Sequence, residues 1–334
     1  MTTLKGVIRS YSAAVRRAER TQQKHNRETA KRYKLQQKAQ DIQNAVRAEA
    51  DYKSYINVLK SVHKDHSDPI NWNDILNEEK PIKPEKETGN EEKAQRQIDH
   101  YKPSFFDKLF GLTSKKIEKL NRALHQAKDH DESDFNRKLR SFKDELADYD
   151  KLQAMARGVL NKDENAYKET LEYFAPFDDL TEASKQLKFK LNPNYIDVEM
   201  ELMSYSIIPG FELSLTSTGK LSRKNMSTSK YNELLQEHIC SSVIRIAKEI
   251  TIYFPVNYVS ITVVVDELDG ATGHRINNVK LSTLIPSNRM SDIVLKAINP
   301  VDCVKSFVHN MKFVKTTGFS NVAKIDIENN LLSI

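Results

Sequence analysis

Residues 231–255 read YNELLQEHICSSVIRIAKEITIYFP, and residues 258–268 and 275–286 continue as YVSITVVVDEL and RINNVKLSTLIP. In the first segment Leu234, Leu235, Ile239, Val243, Ile246, Ala247, Ile250 and Phe254 recur at i, i+3/i+4 spacing, which marks one buried helical face. Glu233, Gln236, Glu237, Arg245, Lys248 and Glu249 fall on the opposite face and are expected to meet solvent. Ser227 or Thr228 offers an N-cap oxygen, and Pro255 ends the helix. Beyond it the period changes to two. Val259, Ile261, Val263 and Val265 point one way, and Tyr258, Ser260, Thr262 and Val264 the other, with the β-branched composition of a half-buried strand. A polar loop holding Asp269, Gly270 and Gly273 leads to Val279, Leu281, Thr283 and Ile285. The stretch Ser227–Pro286 is therefore a long helix with a long-looped hairpin laid on it.

Working outward, residues 187–191 and 195–203 alternate as strands around Asn192-Pro193-Asn194, and Phe211, Leu213 and Leu215 suggest a third strand. A Ser/Lys-rich loop is expected from Thr216 to Ser229. Short helices are expected around Ser291–Ile298 and Val301–Met311. Upstream, residues 4–62 contain no proline and only Gly6, with mostly Ala, Gln, Lys, Arg and Glu, all good helix formers. The first half of that helix has a thin apolar stripe and is expected to project. The second half, with Tyr52, Tyr55, Leu59 and Val62, is expected to pack. Pro81, Pro84 and many charges make residues 77–90 a loop. Helices follow at Glu91–His100, Ser114–His130, Ser133–Leu160 and Glu164–Phe174. The fold class is α+β, with a long N-terminal helical, coiled-coil-like arm and a C-terminal domain whose mostly antiparallel sheet packs on one long helix. The boundaries are 1–66 for the basic helix, 67–177 for a helical hairpin or bundle, and 178–334 for the α+β domain.

The chain has 334 residues and a net charge of +6, but ten Lys/Arg and two Glu between Arg9 and Lys38 make that segment +8 and leave −2 for the rest. Such a segment is the electrostatic footprint of phosphate contacts, and it suits an acidic protein surface equally. Its candidate ligands to a polyanion are Arg16, Arg17, Arg20, Lys24, Arg27, Lys31 and Arg32. Lys220, Arg223 and Lys224 add a cationic, hydroxyl-rich loop before a helix N-terminus. That loop is not a nucleotide-binding P-loop: the pattern GxxxxGK[ST] is absent, since Lys220 precedes Leu221.

Other chemistry is thinner. Asp266 at a strand end and Lys280 after Asn278-Val279 faintly match a Mg²⁺-dependent nuclease, with Glu267 or Asp269 as substitutes for the second carboxylate that Asn278 does not supply. His63 and His66 beside Asp65 and Asp68 are read as surface-loop residues, and His238 as a satisfied core histidine. Cys240 and Cys303 lack CxxC spacing and suggest neither zinc nor a disulfide framework. Phe105, Phe106 and Phe110 suit either a membrane-surface or partner wedge or packing at a helical hinge; the segment is too short for an interfacial helix, so hinge packing is expected. No motif asks for a cofactor. No stretch approaches the roughly 20 apolar residues of a membrane span, and Met1–Ser12 lacks the apolar run of a signal peptide, so a cytoplasmic protein without membrane contact is expected.

Val265-Asp266, Asp269-Gly270-Ala271-Thr272-Gly273, Leu281-Ser282 and Asn299-Pro300-Val301-Asp302-Cys303-Val304-Lys305 together resemble the end domain of uncharacterised bacterial proteins. Some of those are labelled restriction-endonuclease-like or grouped with stress and defence. The resemblance covers about the last third of the chain and carries no catalytic residues. The function expected is a non-enzymatic bacterial binding or regulatory protein, in a setting of phage defence or stress response, whose basic arm contacts DNA, RNA or an acidic protein. A degenerate nuclease and a coiled-coil scaffold that forms homo-oligomers through the arm are the alternatives.

Overall fold

The computed structural model describes residues 20, 24, 45–105, 109–178, 180, 186–202, 207–217 and 220–331. The helical part begins with α1 (Ala45–Ser61), a 3-10 turn (Val62–Lys64) and α2 (Trp72–Leu76), followed by α3 (Gly89–Asp99), α4 (Thr113–Leu160) and α5 (Glu164–Phe174). Strands β1 (Gln186–Leu191), β2 (Tyr195–Leu202), β3 (Phe211–Leu215) and β4 (Leu221–Asn225) lead into α6 (Thr228–Tyr253). Then come β5 (Tyr258–Leu268), β6 (Arg275–Pro286), α7 (Ser287–Asp292), α8 (Pro300–Lys305), β7 (Val308–Val314), β8 (Gly318–Ser320) and α9 (Ile327–Leu331). Among the described residues two units can be distinguished, one within residues 74–154 and the other holding Arg20, Lys24 and the described parts of 45–73 and 155–331.

The larger unit is a six-stranded sheet in the order β1-β2-β5-β6-β7-β8, antiparallel except for the parallel pair β2 and β5. Helix α6 is its central support. Ser227 caps it as expected, its Oγ accepting from Lys230 N at 3.4 Å, and the chain turns extended at Phe254 before Pro255. Helix α1 packs on α6 through Tyr52, Tyr55 and Leu59. The β3–β4 ribbon stands apart from the main sheet and rests on α1, where Tyr52, Phe211 and Leu213 form a small core.

Several expectations change. The Ser/Lys loop contains strand β4, which pairs with β3 from Phe211↔Asn225 to Leu215↔Leu221. Residues 308–311 lie in strand β7 rather than a helix, because Val308–Leu284 to Met311–Leu281 register them against β6. The two helices expected between Ser114 and Leu160 are one helix of 48 residues. The polar run Asp129-His130-Asp131-Glu132 contains no glycine or proline to break it. Arg245 and Glu249 are not solvent-facing; both are buried, as is Gln236, because elements outside the sheet cover that side of α6. Nor is the base of the β5–β6 hairpin buried on one face only, although its loop end is exposed. Ser260, Thr262 and Ser282 are inside, under the segment 321–331, where Ile325 N donates to Ser282 Oγ at 3.1 Å and Lys324 Nζ to Asp197 Oδ2 at 2.7 Å. Leu284, Ile325 and Ile327 close this second layer with Tyr195 and Tyr258.

In the smaller unit, Asp131 of α4 caps α3 from across the helical pair. Its carboxylate accepts from Asn90 N at 3.1 Å, Glu91 N at 2.9 Å and Asn90 Nδ2 at 2.6 Å. These orphan donors at a helix start would otherwise seek water. Ion pairs Lys128–Glu91 at 3.3 Å and Lys138–Glu87 at 2.8 Å run alongside. Gln153 Nε2 donates to Ile75 O at 2.6 Å, which ties the loop side to the helix. The stretch 4–44, and with it the proposed coiled-coil pairing, lies outside the described residues except for Arg20 and Lys24.

Candidate functional site

The cations singled out from the sequence fall in separate places. Arg16, Arg17, Arg27, Lys31 and Arg32 lie outside the described residues. Lys24 is helical and exposed. Arg20 is helical too, but its guanidinium is engaged by the larger unit. It donates to Phe174 O, to Ala175 O at 3.2 Å, to Ser67 Oγ and to Tyr253 Oη at 3.2 Å. The two carbonyls are at the C-terminal end of α5, where Ala175 takes up a left-handed conformation at φ 44°. A cation there satisfies orphan acceptors and meets the negative end of the helix dipole.

Arg20 thus joins a buried polar chain that the sequence did not announce. Tyr253 Oη donates to Ser67 Oγ at 2.9 Å, Ser67 N to Glu249 Oε1 at 2.9 Å, and Arg245 Nε to the same Oε1 at 3.0 Å. Trp72 Nε1 donates to Tyr253 O at 2.7 Å, and Phe174 packs edge-on to Trp72 with ring centres 6.1 Å apart. The only signal available beforehand was the i, i+4 spacing of Arg245 and Glu249, which an exposed pair shows equally.

Lys220, just before β4, and Arg223 and Lys224 within it are exposed, but Arg223 and Lys224 are adjacent and point to opposite faces of the ribbon. Arg223 lies over the Phe211 ring, its Cζ 4.2 Å from the ring centre, a cation–π contact. Glu212 is opposite Lys224 in the ladder and also pairs with Lys230, so the ribbon's charge is partly offset. Lys230 is in the first turn of α6 and Tyr253 at its end, roughly 35 Å apart at a helical rise of ~1.5 Å per residue. Arg20 and the ribbon cations therefore do not share one patch.

The nuclease pair is not brought together. Asp266 is held by Arg275 Nε at 2.8 Å, whereas Lys280 Nζ, buried, donates to Glu267 Oε2 and Asn321 Oδ1, each at 2.7 Å. Asn278 Nδ2 donates to the same Glu267 oxygen at 2.8 Å. Asp269 serves its own turn, accepting from Ala271 N at 3.0 Å and Thr272 Oγ1 at 2.6 Å, which holds its carboxyl below the usual range. Among the described residues no group of three or more His, Cys, Asp or Glu is placed to hold a metal ion.

His63 is buried rather than on a surface loop. Its Nδ1 lies 2.8 Å from Ser241 Oγ. Burial first, then the Lys64 charge, lower its pKa, against the opposite pull of the Leu295 carbonyl. The neutral imidazole is thus the favoured form beside the polar cleft of about 630 Å³ lined by Lys60, Lys64 and Asn299. His238 is the satisfied core histidine expected, with Nδ1 3.0 Å from Leu59 O. Cys240 and Cys303 are free and buried, and burial pushes their thiols up to about 12 and about 11, far from a nucleophilic thiolate. No helix among the described residues is long and apolar enough to cross a membrane. Comparison of the chain with protein-family models, with curated proteins and with solved structures finds no match.

Proposed function

We propose that this is a binding protein, not an enzyme, in which the α+β unit anchors a basic helical segment that contacts a polyanion, DNA or RNA in the first instance. The observation that supports this most is the seating of Arg20. One arginine of the basic run is spent on the body, through carbonyl and hydroxyl partners, so the run has a fixed point of attachment. Lys24, four residues on, is exposed. An acidic protein surface would satisfy the same cations. The C-terminal resemblance supports a bacterial defence or stress setting. The separate partners of Asp266 and Lys280 give the nuclease reading no support.

Because Arg20 is bonded to the body, deleting the arm would disturb folding together with charge. The cleaner variant keeps Arg20 and changes Lys24, Arg27, Lys31 and Arg32 to Gln. Binding of a mixed-sequence duplex is then measured against salt. Each phosphate contact contributes a slope of about −0.9 in log K against log salt, so the variant is expected to bind more weakly with a shallower slope. Equal slopes for the two proteins would overturn the reading. Wild-type binding to an acidic polypeptide but not to the duplex would select the protein-partner alternative.

A further inference from the structure

The C-terminal turn of α1 carries more polar groups than its packing uses. Here the chain tightens from α-helix into the 3-10 turn, and that turn packs on α6. Beside this junction is the cleft of about 630 Å³, walled by α1 and the turn, by Glu237 of α6 and by residues 297–300 ahead of α8. Its size falls in the range that holds a small organic ligand. The one carboxylate in the wall, Glu237, is paired with Lys60 at 2.8 Å. Lys64, also in the wall, is exposed, so the lining carries one more cation than anion. Asp65 and Asp302, the next carboxylates along these segments, do not line the cleft.

His63 is the informative member. It is 1% exposed, yet it forms part of the cleft wall. Ser241 Oγ accepts from His63 N at 2.9 Å and lies 2.8 Å from Nδ1. The amide occupies the hydroxyl as acceptor, so the hydroxyl proton is the one to meet Nδ1, and the ring proton falls on Nε2. The Leu295 carbonyl acts on the same ring. Nε2 itself is buried and makes no hydrogen bond of normal geometry among the described residues. A buried N–H without an aligned acceptor is costly, so an acceptor arriving through the cleft gains a full hydrogen bond.

We propose that this cleft binds a phosphomonoester, one phosphate oxygen accepting from His63 Nε2 and Lys64 balancing the charge. Asn57, Lys60 and Lys64 recur at i, i+3/i+4 spacing on the cleft side and supply the remaining donors. Nitrogen donors from four side chains suit a group with three terminal oxygens better than a carboxylate with two. Ile298 and Pro300 form the apolar part of the wall, against which the body of the molecule rests. Every residue named belongs to the larger unit, and none belongs to the basic arm.

The full-length protein, with ¹⁵N in its histidine rings, is titrated with inorganic phosphate, adenosine monophosphate, adenosine and acetate. The His63 signal is identified by its loss in His63→Gln. Phosphate and the monophosphate are expected to move the His63 Nε2 resonance, and adenosine and acetate to leave it in place. Lys64→Glu reverses an exposed charge, so the melting temperature should hold while monophosphate affinity, read by calorimetry, falls at least about tenfold. The arm variant with Lys24, Arg27, Lys31 and Arg32 changed to Gln should bind the monophosphate as wild type does. A His63 resonance that neither phosphate nor the monophosphate moves would overturn the site, as would equal affinity in Lys64→Glu and wild type. A response to acetate or to adenosine as large as that to the monophosphate would overturn the phosphomonoester assignment. Monophosphate binding abolished in the arm variant and intact in Lys64→Glu would place it on the arm and overturn the cleft. Equal salt slopes for duplex binding, with the His63 response retained, would remove the arm reading alone.

Discussion

Helices α4 and α6 are built on opposite economies. Eighteen of the 26 residues of α6 are buried. In the 48 residues of α4 only Asp131, Gln153, Met155, Ala156 and Val159 are. Helix α6 is packed over most of its circumference and even encloses an ion pair. Helix α4 relies over most of its length on local pairs such as Arg122–Glu118 and Arg137–Asp134. In one helix a polar residue is part of the core; in the other it is part of the surface, and the same substitution should have very different consequences.

The sharpest way to test that contrast is Glu249→Ala, which leaves the buried Arg245 charge without its carboxylate. Breaking such a pair costs about 3–5 kcal/mol, read from denaturant unfolding of the full chain. The double variant Arg245→Met with Glu249→Leu should recover much of that loss, because it removes both desolvated charges. A double variant no more stable than the single would mean that packing, not charge, fixes this position.

Next comes Gly158→Ala, near the C-terminal end of α4. A Cβ there would lie 2.3 Å from the Cβ of Ala166, so α5 must shift, at a cost of about 1–3 kcal/mol. This would show that the last turn of α4 behaves as core although the rest of the helix does not. An unchanged melting temperature would contradict it.

Asp131→Ala should act on α3 alone. The backbone bond from Glu91, ahead of the Asn90 bonds, holds the Asp131 carboxyl below its ordinary value of 3.8. A depressed carboxyl contributes stability that is present above 3.8 and is lost as the pH falls through the lower folded value. In wild type the Asn90 and Glu91 amides should be protected from hydrogen exchange at neutral pH and lose that protection in acid. In the variant they should be open at both, and protection that persists would argue against the cap. The smallest effect is expected for Glu118→Gln, an exposed pair on α4 worth about 0.3–0.5 kcal/mol and less in high salt. A loss comparable to that of Glu249→Ala would erase the distinction between the helices.

The same contrast explains what could be read from the sequence. Helix α6 was legible to its ends, because Ser227, the apolar period and Pro255 are local signals. The β5–β6 hairpin was legible for the same reason. What covers the polar side of α6 was not, since Arg245 and Glu249 are buried by residues far away in sequence such as Ser67. Strand β4 was missed because Ser222, Arg223 and Lys224 alternate no apolar groups on an exposed ribbon. Strand β7 was misassigned because Val301, Val304, Val308 and Met311 mimic a helical stripe. For the candidate site, the charge of the basic segment was plain, but nothing local distinguishes Arg20 from its neighbours as the one that docks. Nor could local rules show that Phe105 and Phe110, expected in a hinge, are exposed.

The parallel pair of β2 and β5 has a consequence for how the protein folds. Tyr195 pairs with Tyr258 across the whole β3–β4 ribbon and α6, so this contact cannot form by zipping from a nearby turn. The β1–β2 hairpin can close early, because Asn192-Pro193-Asn194 turns it locally and Phe189 of β1 stacks on the nearby Phe177, but β2 completes its ladder only when β5 arrives. Closing so long a loop slows folding through lost chain entropy rather than through weak contacts. Refolding should therefore be limited by this one non-local docking step, and substitutions along α6 should alter its rate more than substitutions along α4.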